Sequence, residues 1–241
     1  MTIGNVASAL WRVGGGVAVL AAASMAFGGA ANAQAKQQQS AWVKLCEDAQ
    51  LRAKGADGKV KNEKKEICLT HHERLDGNTG TVIVSAAIRE VKGSERKSLM
   101  VMVPLGMALP PGLRAAVYTP DQWKKAQANK KIDEKKLKPL SLKFSLCHPA
   151  GCTAETEATD QLVESMKTGG GLMILAVNAA NQPVGFPVPL TGFTAAHKGK
   201  AVDNKLYAQQ RGKLMAQIRA RQKKIIAAAR KKREEAQKKK N

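Results

Sequence analysis

Aromatic residues are scarce: only 4% of the 241 residues are Phe, Trp or Tyr. A core built on large rings is therefore excluded, and packing has to rest on Val, Leu, Ile, Met and Ala. Catalytic signatures are missing as well. The chain has no G-x-S-x-G elbow, no phosphate-cradling loop, no H-E-x-x-H and no paired carboxylates at a defined helical spacing, which argues against an enzyme. It has no thioredoxin-like C-x-x-C, so thiol exchange is a weak reading. Beyond the N-terminal run, no segment is long and apolar enough to span a bilayer. Acids are also short, with 19 Asp+Glu against 40 Lys+Arg and a formal net charge of +21.

The N-terminus carries an address. Arg12 is its only basic residue, the uncharged run 13–31 follows, and Ala31-Asn32-Ala33 gives an A-x-A cleavage pattern before Gln34. This predicts a signal peptide over 1–33 and a periplasmic or secreted protein, followed by a disordered leader over 34–41. An uncleaved anchor is the alternative, but the run is rich in Gly, Ala and Ser rather than Leu and Ile. In an exported chain the four cysteines, Cys46, Cys68, Cys147 and Cys152, suggest two disulfides, for which three pairings exist. Nearest-neighbour pairing is the simplest. By loop entropy it would contribute about 3 kcal/mol for the first pair and about 2 kcal/mol for the second. Zinc fits poorly, because structural sites show two close pairs whereas these cysteines are 22 and five residues apart.

From Trp42 the chain alternates like a strand to Cys46, and Ile67 to Thr70 reads as a second strand. The charged stretch between them, Arg52 to Glu66, reads as a solvated loop. Short β-like runs then recur over 81–89, 99–103 and 113–119, separated by Asp76-Gly77-Asn78, Lys92-Gly93-Ser94 and Leu109-Pro110-Pro111-Gly112. Strands of this length and spacing predict an antiparallel sandwich or barrel. The Lys-rich segment 121–138 interrupts them as a short helix or a long loop. In the next run, 140–146, Leu142, Phe144 and Leu146 share one face. A helix is predicted over 160–167, capped by Thr159 or Asp160, with Leu162, Val163 and Met166 inward and Gly169-Gly170-Gly171 stopping it. Residues 172–177 form a second apolar strand. The run 184–190, broken by Pro187 and Pro189, suits a sheet edge.

His71-His72-Glu73 is the only His/Glu cluster. Neighbouring residues of a strand point to opposite faces, so it reads as a surface strand end rather than a metal site. His148 reads as a loop-surface residue. No catalytic residue, metal site or cofactor is assigned.

Beyond Lys198 the chain turns to Ala, Gln, Lys and Arg, with sixteen cations against three acids over 198–241. Tyr207, Leu214, Ile218 and Ile225 recur near a helical period, predicting a basic amphipathic helix of about seven turns, weakened early by Gly212. Its cations include Arg211, Lys213, Arg219, Arg221, Lys223, Lys224, Arg230, Lys231, Lys232 and Arg233. They suit an anionic membrane or lipopolysaccharide surface, against the plainer reading of a solvated helix. Nucleic acid is disfavoured, since no aromatic stacking platform accompanies the charge.

Cys147-His148-Pro149-Ala150-Gly151-Cys152, the helix with Leu162 and Met166, and the run from Gly185 to Ala196 (GFPVPLTGFTAA) together resemble the invasion-associated locus B family, small exported proteins of alphaproteobacteria. Trp42, Cys46, Cys68 and the Leu109–Gly112 turn fit the N-terminal half of that family. The resemblance spans roughly 42–196. It implies an immunoglobulin-like antiparallel β-sandwich with one short internal helix, the nearest-neighbour disulfide pairing, an association with host-cell invasion, and no accepted reaction. The Lys-rich segment and the basic tail depart from a minimal member. The expectation is thus a sandwich domain over 42–197 and a helical tail over 198–241. The sandwich would be a non-enzymatic envelope module that binds an unknown protein or envelope component, and the tail would attach it electrostatically. The rivals are an envelope hydrolase with an unrecognised site and a structural stabiliser of the envelope.

Overall fold

A computed structural model describes residues 42–54 and 60–238. The expected signal peptide and leader, 1–33 and 34–41, lie outside the described residues. In chain order the strands are β1 (Trp42–Lys54), β2 (Val60–Leu75), β3 (Val82–Val91), β4 (Lys97–Val103), β5 (Leu113–Tyr118), β6 (Leu140–His148), β7 (Gly151–Glu157), β8 (Gly171–Val177) and β9 (Pro183–Pro189). Helix α1 (Pro120–Gln127) and a 3-10 turn (Glu134–Lys136) separate β5 from β6, and α2 (Asp160–Thr168) separates β7 from β8. Helices α3 (Phe193–Lys198) and α4 (Asn204–Lys238) follow β9.

The described strands form a single sheet in the order β1-β2-β3-β4-β7-β6-β5-β8-β9, antiparallel at every step. The sandwich is this sheet folded back on itself. Alternation sends Val84, Ala86 and Ile88 of β3, Leu99, Val101 and Val103 of β4, and Leu172 and Ile174 of β8 into the same buried cluster. Leu162, Val163 and Met166 of α2 and Phe193 of α3 also join that cluster. Thr159 caps α2 by accepting the Leu162 N–H at 3.2 Å. Proline-bearing β9 is an edge, as its prolines require.

Three expectations need correction. Residues 52–66 are largely strand rather than loop: β1 and β2 stay paired out to Lys54 and Val60. The segment is polar because β3 joins β2 only from Ile67 onward. Beyond that point the hairpin is a two-stranded ribbon on which Asp48, Gln50, Arg52, Asn62, Glu63 and Lys64 are exposed, and strand periodicity has no apolar partner to report. In β6, Leu142 is buried but Leu146 is 63% exposed. The register slips between Phe144 and Leu146, and this irregularity breaks the alternation. Finally, His71-His72 is not a surface strand end. It lies within β2, His72 is only 4% exposed, and His71 is half-buried.

The Lys-rich segment 121–138 has a structural task. Its helix α1 is closed by a capping box between Thr119 and Gln122. The segment lays Trp123, Ile132 and Leu137 over Ala116, Tyr118 and Met173 on the outer side of β5 and β8, making a second small core. Gly170 and Gly171 are the floor beneath the indole: a Cβ on Gly171 would stand 2.1 Å from Trp123 Cε3. Gly171→Ala is therefore expected to lower stability by about 2 kcal/mol in urea denaturation. Gly77→Ala, where a Cβ meets nothing within 4 Å, should stay within about 0.5 kcal/mol of the parent.

Candidate anionic-surface helix and its docking to the sandwich

Closure of the sheet begins with Trp42. Its indole Nε1 donates to the Pro189 carbonyl at 2.7 Å, joining β1 to the end of β9. The ring meets Phe193 edge-on at 5.0 Å and lies 5.3 Å from the His72 ring. Phe193 in turn stacks on His197, centroids 5.3 Å apart. His197 Nδ1 lies 3.2 Å from Thr70 Oγ1 and 3.9 Å from Glu90 Oε2, while Lys44 Nζ donates to the His197 carbonyl at 3.1 Å. Burial holds the His197 pKa below its ordinary value; Glu90 opposes this, and Lys167, Lys44 and Lys97 reinforce it. Although His197 and Glu90 form a His–acid pair, the neighbouring hydroxyl, Thr70, is fully buried. The cluster joins α3 to β1 and β2.

From α3 the chain crosses the free edge of β1. Val202 N donates to the Lys44 carbonyl at 2.8 Å and Asn204 Nδ2 to the Cys46 carbonyl at 3.0 Å. Asp203 Oδ1 accepts the Leu206 N–H at 2.7 Å and starts α4. The first turns are fastened to the sandwich. Arg211 donates through Nε and Nη2 to both carboxylate oxygens of Glu73, at 3.0 and 2.8 Å, a bidentate geometry. Met215 and Ile218 rest against Gly80 of the β2–β3 turn, with Ile218 8% exposed. Asp76 holds that turn, accepting from the N–H groups of Asn78 and Thr79 at 3.0 and 2.7 Å. These bonds hold the Asp76 carboxyl below the usual range. Burial lowers the pKa of His71, two residues from Glu73, and Arg211 lowers it further against the pull of Glu73.

Past Ile218 every described residue of α4 is exposed. Over 219–238 there are nine cations (Arg219, Arg221, Lys223, Lys224, Arg230, Lys231, Lys232, Arg233 and Lys238) and two acids, Glu234 and Glu235. Ile225 and Ile226 stand 47% and 48% exposed among them. The ten cations predicted from the sequence therefore divide. Arg211 is turned to the domain and paired with Glu73, Lys213 is an exposed residue of the docked portion, and the other eight lie on the projecting part. The helix is 35 residues long, about ten turns rather than seven, and it runs unbroken through Gly212. Contacts on either side of that glycine outweigh a propensity loss of about 1 kcal/mol.

The cysteines pair as Cys46–Cys68 and Cys147–Cys152. Each bridge links directly opposed residues of a hairpin. His148 is exposed at the β6–β7 turn, its Nδ1 accepting the Ala150 N–H at 3.2 Å. Among the described residues no group of three or more His, Cys, Asp and Glu is placed to hold a metal, and no helix is long and apolar enough to cross a membrane. Thr70, Glu90, His197 and the Glu73–Arg211 pair were not singled out from the sequence. Their partners are 107 to 138 residues apart along the chain, and no local spacing announces them.

These features define a disulfide-bridged, mainly antiparallel β protein with a basic helix fastened by its first turns. The model of the family "Invasion associated locus B (IalB) protein" matches residues 114–201, the stretch that runs from β5 through α3. Two curated relatives, invasion protein B homologs of Brucella abortus strain 2308 and of biovar 1 strain 9-941, are each 28% identical over 130 residues. The match covers 54% of this chain and 65% of each relative, short of two thirds of their length. The crystal structure of invasion associated protein b from Bartonella henselae is 19% identical, with a TM-score of 0.44, covering 72% of this chain and 97% of that one.

Removing the carboxylate in Glu73→Gln should loosen the base of α4 by about 1 kcal/mol, discounted for the partial exposure of Arg211. Hydrogen exchange of amides 205–218 should then speed up about fivefold, with β3 and β4 unchanged.

Proposed function

We propose that this protein is an exported, non-enzymatic component of the bacterial envelope whose sandwich binds another macromolecule while its basic helix attaches to an anionic surface. One observation carries the reading: α4 is fixed to the domain only as far as Ile218, then continues for about 30 Å with nine cations, two acids and exposed Ile225 and Ile226. A helix kept merely for solubility needs no anchored base. A short, stiff, cationic rod with a thin apolar stripe suits the headgroup region of an anionic bilayer or lipopolysaccharide. The two cross-strand bridges suit an oxidising compartment. The names of the relatives associate the family with invasion, which supports a surface-facing role and a host or envelope macromolecule as partner.

Each Lys or Arg near an anionic bilayer contributes about 1 kcal/mol, weakened by salt. The purified protein should therefore co-sediment with phosphatidylglycerol-containing vesicles at low salt, release as salt rises, and ignore neutral vesicles. Changing Lys223, Lys224, Arg230, Lys231, Lys232 and Arg233 to Gln together should abolish this binding. Unchanged co-sedimentation of that variant would refute the attachment.

A further inference from the structure

The docked turns of α4 do not close flush on the sandwich. Between them lies a groove of about 940 Å³, at the upper end of the range typical of ligand sites, about 300–1,000 Å³. Its walls are apolar on both sides: Leu75 and Pro189 from the sheet, Leu214 and Ile218 from the helix. Leu214 is 46% exposed although it lines the groove, so burying it would add to the affinity of an apolar occupant. The charges at the rim do not balance. Glu73 is fully engaged by Arg211, which leaves Arg74 and Arg221 as lining cations. Among the described residues, neither is joined to an acid by an ion pair.

We propose that this groove binds a single-chain anionic amphiphile, a long-chain carboxylate whose chain lies along Leu75, Leu214 and Ile218 while its head meets Arg74 and Arg221. An apolar trough whose lining also includes two guanidinium groups with no acid partner complements both the chain and the head of such a molecule, since guanidinium pairs with carboxylate in a fixed fork. A neutral chain would leave the charge unmet, and a small hydrophilic anion would leave the trough wet. Of the projecting part the site uses only Arg221, at its first turn; the six cations whose change to Gln tests attachment to a bilayer do not line it.

Isothermal titration calorimetry with dodecanoate, kept below its critical micelle concentration, tests this on the purified protein. Saturable binding of one molecule per protein is expected. Leu214→Asp should weaken it at least tenfold and Arg221→Glu about fivefold. Both residues are exposed, and circular dichroism should show the fold retained. Dodecyltrimethylammonium, with the same chain and the opposite charge, should bind at least tenfold more weakly. The variant with six cations of the projecting helix changed to Gln should lose anionic vesicles yet keep dodecanoate, separating a monomeric ligand from bilayer lipid. Absence of saturable uptake, equal binding of the cationic amphiphile, or an unaltered affinity in Leu214→Asp would each overturn the proposal.

Discussion

A long antiparallel sheet has two edges, and each exposes unpaired backbone groups. Here one indole ties the region of one edge to the other: Trp42, at the start of β1, gives its N–H to the carbonyl that ends β9. In a chain with three tryptophans, placing one at this seam joins the two halves of the folded sheet where the ladder cannot. The ring then supports Phe193, which is fully buried, and Phe193 carries His197. The order β1, β9, α3 is thus a chain of contacts reaching the exit of the domain. Residues 202–204 leave along the edge of β1, and the start of α4 inherits its position from them.

What lies outside the seam follows from how each flank of the sheet is covered. The β5–β8 flank is sealed by the Lys-rich segment, whose lysines face water while Trp123 faces inward. A stretch that looks like a charged insertion is therefore amphipathic in space. At the β2 end, α4 meets the domain through one bidentate ion pair and a few side chains, then continues alone. Anchoring one end of a helix while freeing the other gives an arm with defined direction at low packing cost. It also leaves room for a groove at its base.

Much of the core was legible in the sequence. Val82 to Ile88, Leu99 to Val103 and the apolar positions of α2 repeat at the periods their structures require, and Gly and Pro mark the turns. Proline placed β9 at an edge by itself. The β1–β2 ribbon was not legible, because a hairpin that extends beyond the rest of the sheet has the composition of a loop. Leu146 misled because a register irregularity shifts alternation without a local signal. His72 misled for a different reason: a histidine on a strand reads as polar, and only the arrival of Trp42 at its ring shows it to be core. The docking of α4 through Glu73 and Arg211, 138 residues apart, depends on closure of the sheet, and a linear pattern does not encode that.

Whether the seam governs the exit helix is open to direct measurement. Hydrogen exchange should be followed in the native protein and in Trp42→Leu, which removes both the donor and most of the ring. If the seam positions the arm, protection falls in β9, α3 and the first turns of α4, while the β3–β4–β7 ladder keeps its native rates. Equal loss throughout the sandwich, or no loss in α3 and α4, would contradict that account.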